Sequence, residues 1–191
     1  MATEVYISDT NIWIDFRNAD VLDELFWLPF RLCCADFVLS ELKDLPTQTL
    51  IAQGLIVETL EGDEIGELHE LLAAHHNSSL ADVSCYYLAV RTGRPLLTGD
   101  GRLRAQAAKD GIKVFGALWI LDRLVECALL PHQRAAKALQ AMLNHGARLP
   151  HAECQQPNIR ACRRRAPSRR WARSRGRSCG CARTASFPAD A

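Results

Sequence analysis

The sequence predicts an α/β domain: a mostly parallel five-stranded sheet with helices on both faces, a three-layer sandwich. Three observations predict it. Short apolar runs of strand length alternate with stretches of helical periodicity, the order a parallel sheet requires. The strand runs are apolar throughout instead of alternating, as strands buried on both faces are. Finally, 191 residues with 48% hydrophobic content fill the core of one ordinary domain plus a tail, and a second full domain is not expected.

The strands are expected at residues 5–8, 31–34, 55–60, 96–98 and 113–115. Between the first two, Asp20 precedes a helical run with Val21, Leu22, Leu25 and Leu28 on one face. Phe37, Leu39 and Leu42 mark the next helix, with Pro46 soon after its end. A helix over 63–74 follows. The helix over 79–91 has the clearest boundaries. Ser79 and Asp82 have the capping-box spacing at its start, and Gly93 and Pro95 close it, because glycine takes the left-handed C-cap conformation and proline cannot continue the helix. Helices over 101–109, 117–126 and 131–143 complete the domain, the last with Ala135, Ala138, Leu139 and Met142 along one side. There is no internal repeat.

A domain over 1–153 is expected to be followed by a tail over 154–191, because apolar periodicity gives way there to Arg, Ser, Pro, Gly and Cys. Such a composition cannot bury enough surface to offset its ordering entropy, so the tail is expected to be disordered. Charge divides at nearly the same place. Residues 1–147 hold 20 acids and 12 bases, net −8, and residues 148–191 hold 2 acids and 11 bases, net +9, giving the overall +1. The tail reads either as an RNA-binding arm, its arginines on phosphates and Trp171 on a base, or as a composition accident from a shifted reading frame. No apolar run reaches the ~18 residues a membrane span needs, and the start lacks a secretory signal, so a soluble, cytoplasmic protein with no membrane partner is expected. The eight cysteines form no CxxC pair and are read as reduced thiols.

In an open α/β sheet, ligands bind beyond the carboxyl ends of the strands, where strand order reverses. Asp9 follows the first strand in VYISDTNIWIDF, and Asp100 follows the fourth in PLLTGDGRLR. Glu41 lies on the helix after the second strand, and Asp82 lies in the first turn of the helix leading to the fourth. If these four acids meet, repulsion decides what they need: two carboxylates about 4 Å apart repel by roughly 4 kcal/mol at an effective dielectric near 20. They must share protons, find Arg or Lys, or hold a cation, and oxygen-only donors suit Mg²⁺ or Mn²⁺. That chemistry is the equipment for phosphodiester hydrolysis. Blander roles exist for each: Asp9 and Asp100 as N-caps, Asp82 as a capping-box acid, Glu41 as a solvated residue near Lys43.

Residue by residue, the chain resembles the PIN domain family. SDTNIWIDF supplies Asp9 with Asn11, DFVLSEL supplies Glu41, SLADVSCYYLA supplies Asp82, and LLTGDGRL supplies Asp100 with Thr98. VFGALWILDRLVE and NHGARLP resemble a branch similar to VapC-type toxin endoribonucleases. The resemblance implies strand order 3-2-1-4-5, which sets Asp9 near Asp100. It implies RNA cleavage by metal-activated water, with Asp9, Glu41, Asp82 and Asp100 catalytic and Asp9, Asp82 and Asp100 holding Mg²⁺ or Mn²⁺. Asn11 and Thr98 then orient these ligands. A cognate antitoxin and a homodimer are the implied partners. Cys85, Tyr86 and Tyr87 depart from the smaller residues frequent in such toxins.

Arg91, Arg94, Arg102 and Arg104 bracket Asp100 and either steer RNA phosphates, Arg102 and Arg104 foremost, or form a solvated face. Asp15, Asp36 and Asp44 are read as solvated or capping. His69, His75 and His76 are read as loop histidines, and Trp13, Trp27 and Trp119 as core or dimer-interface aromatics. Two other function classes compete: a non-catalytic PIN-like nucleic-acid or protein-binding module, and a phosphoryl-transfer enzyme with an aspartyl nucleophile. Asn11, where the common DxD phosphatases carry a second Asp, argues against the latter.

Overall fold

The computed structural model describes residues 4–74 and 78–149. The expected domain boundary at 153, the tail over 154–191 and the pair His75 and His76 lie outside the described residues. Five strands, β1 (Val5–Ser8), β2 (Arg31–Ala35), β3 (Ile56–Glu58), β4 (Leu96–Leu97) and β5 (Val114–Phe115), form one sheet in the order β3-β2-β1-β4-β5. Every pairing is parallel, with Ile7 opposite Cys33 on one side and opposite Leu96 on the other.

Among the described residues eight α-helices cover the two faces: α1 (Thr10–Asn18), α2 (Asp36–Glu41), α3 (Thr47–Gln53), α4 (Asp63–Ala74), α5 (Leu80–Thr92), α6 (Gly101–Lys109), α7 (Ala117–Glu126) and α8 (His132–Asn144). On one face α5 packs across β1, β2 and β4 and touches α2, α4 and α6; on the other, α1, α7 and α8 pack together. The central helix is therefore buried along most of its length, from Ala81 through Ala89 with the single exception of half-buried Asp82. Ile7, Trp13, Phe16, Leu88 and Leu97 are fully enclosed. Each such aliphatic or phenyl side chain contributes about 1.5–3 kcal/mol relative to exposure.

Three expected elements differ. The helix expected after Asp20 is only a 3-10 turn, Asp23–Trp27. Asp20 has φ 56°, which breaks the chain just ahead of it, and Pro29 limits it from behind. No element is expected over 10–18, yet the nine-residue α1 lies there, its Ile12, Trp13 and Phe16 buried. Pro46 does not only end a helix: it opens α3, where its fixed φ and missing N–H suit the first turn. Asp15, read as solvated or capping, is buried in α1, and burial pushes its carboxyl up to about 6. Asp36 does serve a backbone N–H, that of Phe37, and Asp44 is exposed, 4.0 Å from Arg17.

The end of α5 follows the sequence reading. Gly93 takes the left-handed conformation (φ 66°) as its C-cap. An alanine there meets no atom within 4 Å, so only backbone strain opposes it. Gly93→Ala is expected to lower stability by about 1–2 kcal/mol, a melting point about 2–8 °C lower. Gly66→Ala, inside α4 with equally open surroundings, is expected to raise stability by about 0.5–1 kcal/mol. Paired thermal melts check both signs.

Candidate active site

Strand order reverses between β1 and β4, and the chain leaves both at the same rim. Asp9, the first residue beyond β1, donates its N–H to Leu97 O at 3.0 Å. Thr98, Gly99 and Asp100 are the first three residues beyond β4. Asp9 is fully buried. Its Oδ1 accepts from Ile12 N at 3.1 Å, capping α1. Its Oδ2 accepts from Thr98 Oγ1 at 2.5 Å, Gly99 N at 3.3 Å and Asn11 Nδ2 at 3.4 Å. The Thr98 hydroxyl also accepts from Asp100 N at 3.0 Å. One buried hydroxyl, using its donor and one acceptor site, thus links the Asp9 carboxylate to the backbone of Asp100. Asp100 Oδ1 caps α6 through Arg102 N and Leu103 N at 2.9 and 2.8 Å.

The other two acids approach from α2 and α5. Glu41 is the last residue of α2, exposed, and accepts from the Thr10 hydroxyl at 2.7 Å. Asp82 sits in the first turn of α5, where its N–H donates to Ser79 Oγ at 3.1 Å, half of the expected capping box. Burial pushes the Asp9 carboxyl up to about 6; the hydrogen bonds from Thr98, Ile12 and Asn11 oppose the shift and the negative charge of Asp82 adds to it. Burial also raises Asp82, with Glu41 and Asp100 adding their repulsion. Asp82 is therefore the acid through which the other three are linked: it acts on Asp9, and Glu41 and Asp100 act on it.

Positive charge near the site is sparse. Arg148 Nη1 stands 3.3 Å from Asp100 Oδ2. Arg91 and Arg94 pair with Glu64 and Glu58, away from Asp100, so these two do not serve the acidic rim. Among the described residues, no three His, Cys, Asp or Glu side chains are gathered as a ready-made metal site. The donor set nevertheless fits a hard divalent cation. All its ligating atoms are oxygens, Asp9 is held by donors that favour its charged form, and Asp82 is left with two negative neighbours.

A family model described as PIN domain matches residues 5–161. The chain belongs to the PIN domain family. Among solved structures it is similar to a PilT N-terminus domain protein from the hyperthermophilic archaeon Sulfolobus solfataricus P2, at 10% identity and a TM-score of 0.45, covering 61% of this chain and 89% of that one. No curated protein matches. PIN domains are generally nucleases and typically use divalent metals.

In this PIN domain the residues following Asp82 are struts. Cys85 is buried and its thiol lies 3.3 Å from Ser8 O, directly beneath the acidic rim. Burial, first, and Asp9 and Asp82 nearby keep that thiol well above its usual range, so it is an inert packing group. Tyr86 OH donates to Asp110 at 2.5 Å and Tyr87 OH to Glu67 at 2.7 Å. Three contributors escaped the sequence reading: Thr10, which orients Glu41; Gly99, whose N–H reaches Asp9; and Arg148. Thr10 and Gly99 flank residues already singled out, and a helix starting at Thr10 would have drawn attention to its hydroxyl. Of the tryptophans, Trp13 is core, Trp119 joins an aromatic cluster and Trp27 is 56% exposed. His69 is exposed on α4.

Proposed function

We propose that this PIN domain is an endoribonuclease dependent on Mg²⁺ or Mn²⁺, acting in the cytoplasm as the toxin of a toxin–antitoxin pair. The observation that carries the reading is the placement of Asp9 and Asp100 at the switch point of the sheet, where the Thr98 hydroxyl links the Asp9 carboxylate to the Asp100 N–H, with Asp82 repelling Asp9 and itself repelled by Glu41 and Asp100. In this reading Asp9, Asp82 and Asp100 hold the ion and Glu41 completes the acidic set. The chemistry supplied by a bound divalent ion is Lewis acidity toward the phosphate and a lowered pKa for water. Thr98, Asn11 and Gly99 hold the Asp9 carboxylate in one orientation, and Thr10 does the same for Glu41.

RNA as substrate is supported by Arg148 beside Asp100, by Arg104 against Thr98 O, and by the net +9 of residues 148–191. The toxin role, with a cognate antitoxin and a homodimer as partners, is supported by the sequence resemblance around residues 114–126 and 144–150. A second reading, a non-catalytic nucleic-acid or protein-binding module, is favoured by the ion pair that occupies Asp100 Oδ2.

The test is incubation of the full chain with single-stranded and hairpin RNA in Mn²⁺, in Mg²⁺ and in EDTA. Cleavage is expected only with an ion, at least about 100-fold faster than with chelator. RNA binding without cleavage under every condition supports the binding module; cleavage undiminished by EDTA eliminates the metal mechanism.

A further inference from the structure

Beside the acidic rim lies a cavity of about 420 Å³, continuous with Thr98, Gly99 and Gly101 and reaching β5 and the start of α7. Its walls are largely apolar, with Phe115, Leu118, Trp119 and Leu149, and two guanidinium side chains, Arg104 and Arg148, line it as well. Phe115 and Trp119 stack at 4.2 Å, and Trp119 is backed by Tyr6 and Phe30 at 5.4 and 5.6 Å, so the aromatic wall is rigid. The volume lies within the range of small-ligand sites, about 300–1,000 Å³.

Arg104 gives the cavity its chemistry. It is half-buried on α6, and among the described residues its hydrogen bond is Nη1 to Thr98 O at 3.2 Å, with no carboxylate within ion-pair distance. A partly buried guanidinium fixed by a carbonyl keeps most of its five donors for another acceptor, and its charge calls for an anion. Gly116 shapes its seat. A Cβ there would lie 2.8 Å from Arg104 Nη1, so the absence of a side chain at this position lets the guanidinium settle against Thr98. Arg148 spans cavity and acidic site, lining the one and standing 3.3 Å from Asp100 in the other. Few ligands combine an anionic group with a flat apolar body at this distance from a hydrolytic acid cluster.

We propose that this cavity is a nucleotide subsite for single-stranded RNA: it receives one nucleotide next to the scissile bond, the phosphate on Arg104 and Arg148 and the base against the wall of Phe115, Leu118 and Trp119. The inference rests on the nuclease reading and specifies which part of the RNA the domain grips. A single-stranded region is required because a paired and stacked base cannot enter a side pocket. Arg104 acts in binding: it holds the phosphate of the neighbouring nucleotide and carries no proton or metal for the reaction.

The experiment is titration of the full chain in EDTA with uridine and adenosine 5′-monophosphates, the corresponding nucleosides, and inorganic phosphate, followed by amide chemical shifts and the Trp119 indole signal. The expected result is that the monophosphates shift Phe115, Gly116 and Trp119 and bind about tenfold or more tightly than either nucleoside or phosphate. Arg104→Gln and Gly116→Ala are each expected to weaken the monophosphates about tenfold with little effect on the nucleosides. In cleavage assays both variants are expected to raise KM on single-stranded RNA and leave kcat nearly unchanged. Binding by phosphate equal to that of the monophosphates, or shifts confined to other surfaces, overturns the subsite. Because binding is read without metal, the two readings fail separately: nucleotide binding here with no RNA cleavage overturns the nuclease, and acid-dependent cleavage without nucleotide binding here overturns the subsite alone.

Discussion

Replacing Asp9 by asparagine is expected to slow RNA cleavage by about 10²–10⁴-fold while the protein remains folded. The magnitude follows from the several kcal/mol that a correctly held cation contributes to a hydrolytic transition state, each 1.36 kcal/mol being tenfold. Asparagine keeps the shape and can still accept from Ile12 N through its Oδ1, so the cap of α1 survives. What is lost is the charge, and with it the second oxygen that accepts from Thr98, Asn11 and Gly99. Asp100→Asn is expected to act in the same direction but less strongly, because Asp100 is the less buried acid and already shares Oδ2 with Arg148. The double variant is expected to be no slower than Asp9→Asn alone, since residues that serve one ion are not additive. Single-turnover rates at saturating Mn²⁺ check all three; full activity in Asp9→Asn would remove the acidic rim from the mechanism.

The strands, most of the helices and the convergence of the candidate acids were legible in the sequence for a physical reason. Strands buried on both faces must be apolar throughout, and this marked 5–8, 31–34 and 96–98 within a residue of their observed ends. The caps of α5 were legible because Ser79 and Gly93 are chemically special at those positions. Asp9 and Asp100 stood out as charges immediately after such strands.

The reading failed where tertiary packing overrode local pattern. In α1, Ile12, Trp13 and Phe16 are apolar residues of strand character too close to a strand end to read as helical, and they become helical because α7 and α8 cover that face. Asp15 looked like an exposed acid because its burial depends on neighbours distant in sequence. Arg148 was invisible for the same reason, being 48 residues from its partner Asp100. Both N-cap readings of Asp9 and Asp100 also proved accurate: capping occupies Oδ1 in each, while Oδ2 of Asp9 accepts from Thr98, Gly99 and Asn11 and Oδ2 of Asp100 faces Arg148, so a cation would share these oxygens with their present partners. The one aspect no local pattern supplies is the common hydroxyl of Thr98, which exists only because β1 and β4 are neighbours.

In the metal-free protein Asp9→Asn is expected to be more stable than the unsubstituted chain at pH 7.5, and the advantage is expected to vanish near pH 5. The folded state holds the Asp9 proton up to about pH 6, whereas an unfolded aspartate with the ordinary value of 3.8 has released it. Between these values the folded state binds more protons, so stability falls as pH rises through the window. Below pH 4 there is no penalty, and above pH 6 the full penalty applies, about 3 kcal/mol at 1.36 kcal/mol per pH unit of displacement. Asparagine never carries the charge but leaves Thr98 and Gly99 less well satisfied, which costs about 1 kcal/mol. The net gain at pH 7.5 is about 1–2 kcal/mol, a melting point higher by about 2–8 °C for a domain of this size. Asp15, also raised to about 6 by burial, is common to both proteins and cancels in the difference. A cation bound only to the folded state reverses the order. At 100 times its Kd, Mn²⁺ is expected to stabilise the unsubstituted chain by about 2.7 kcal/mol and Asp9→Asn far less. Thermal melts at pH 5.0 and 7.5, each with EDTA and with Mn²⁺, test the whole pattern. An Asp9→Asn variant less stable than the unsubstituted chain at pH 7.5 in EDTA would mean that the four donors around this carboxylate already compensate its burial, leaving no electrostatic demand for an ion.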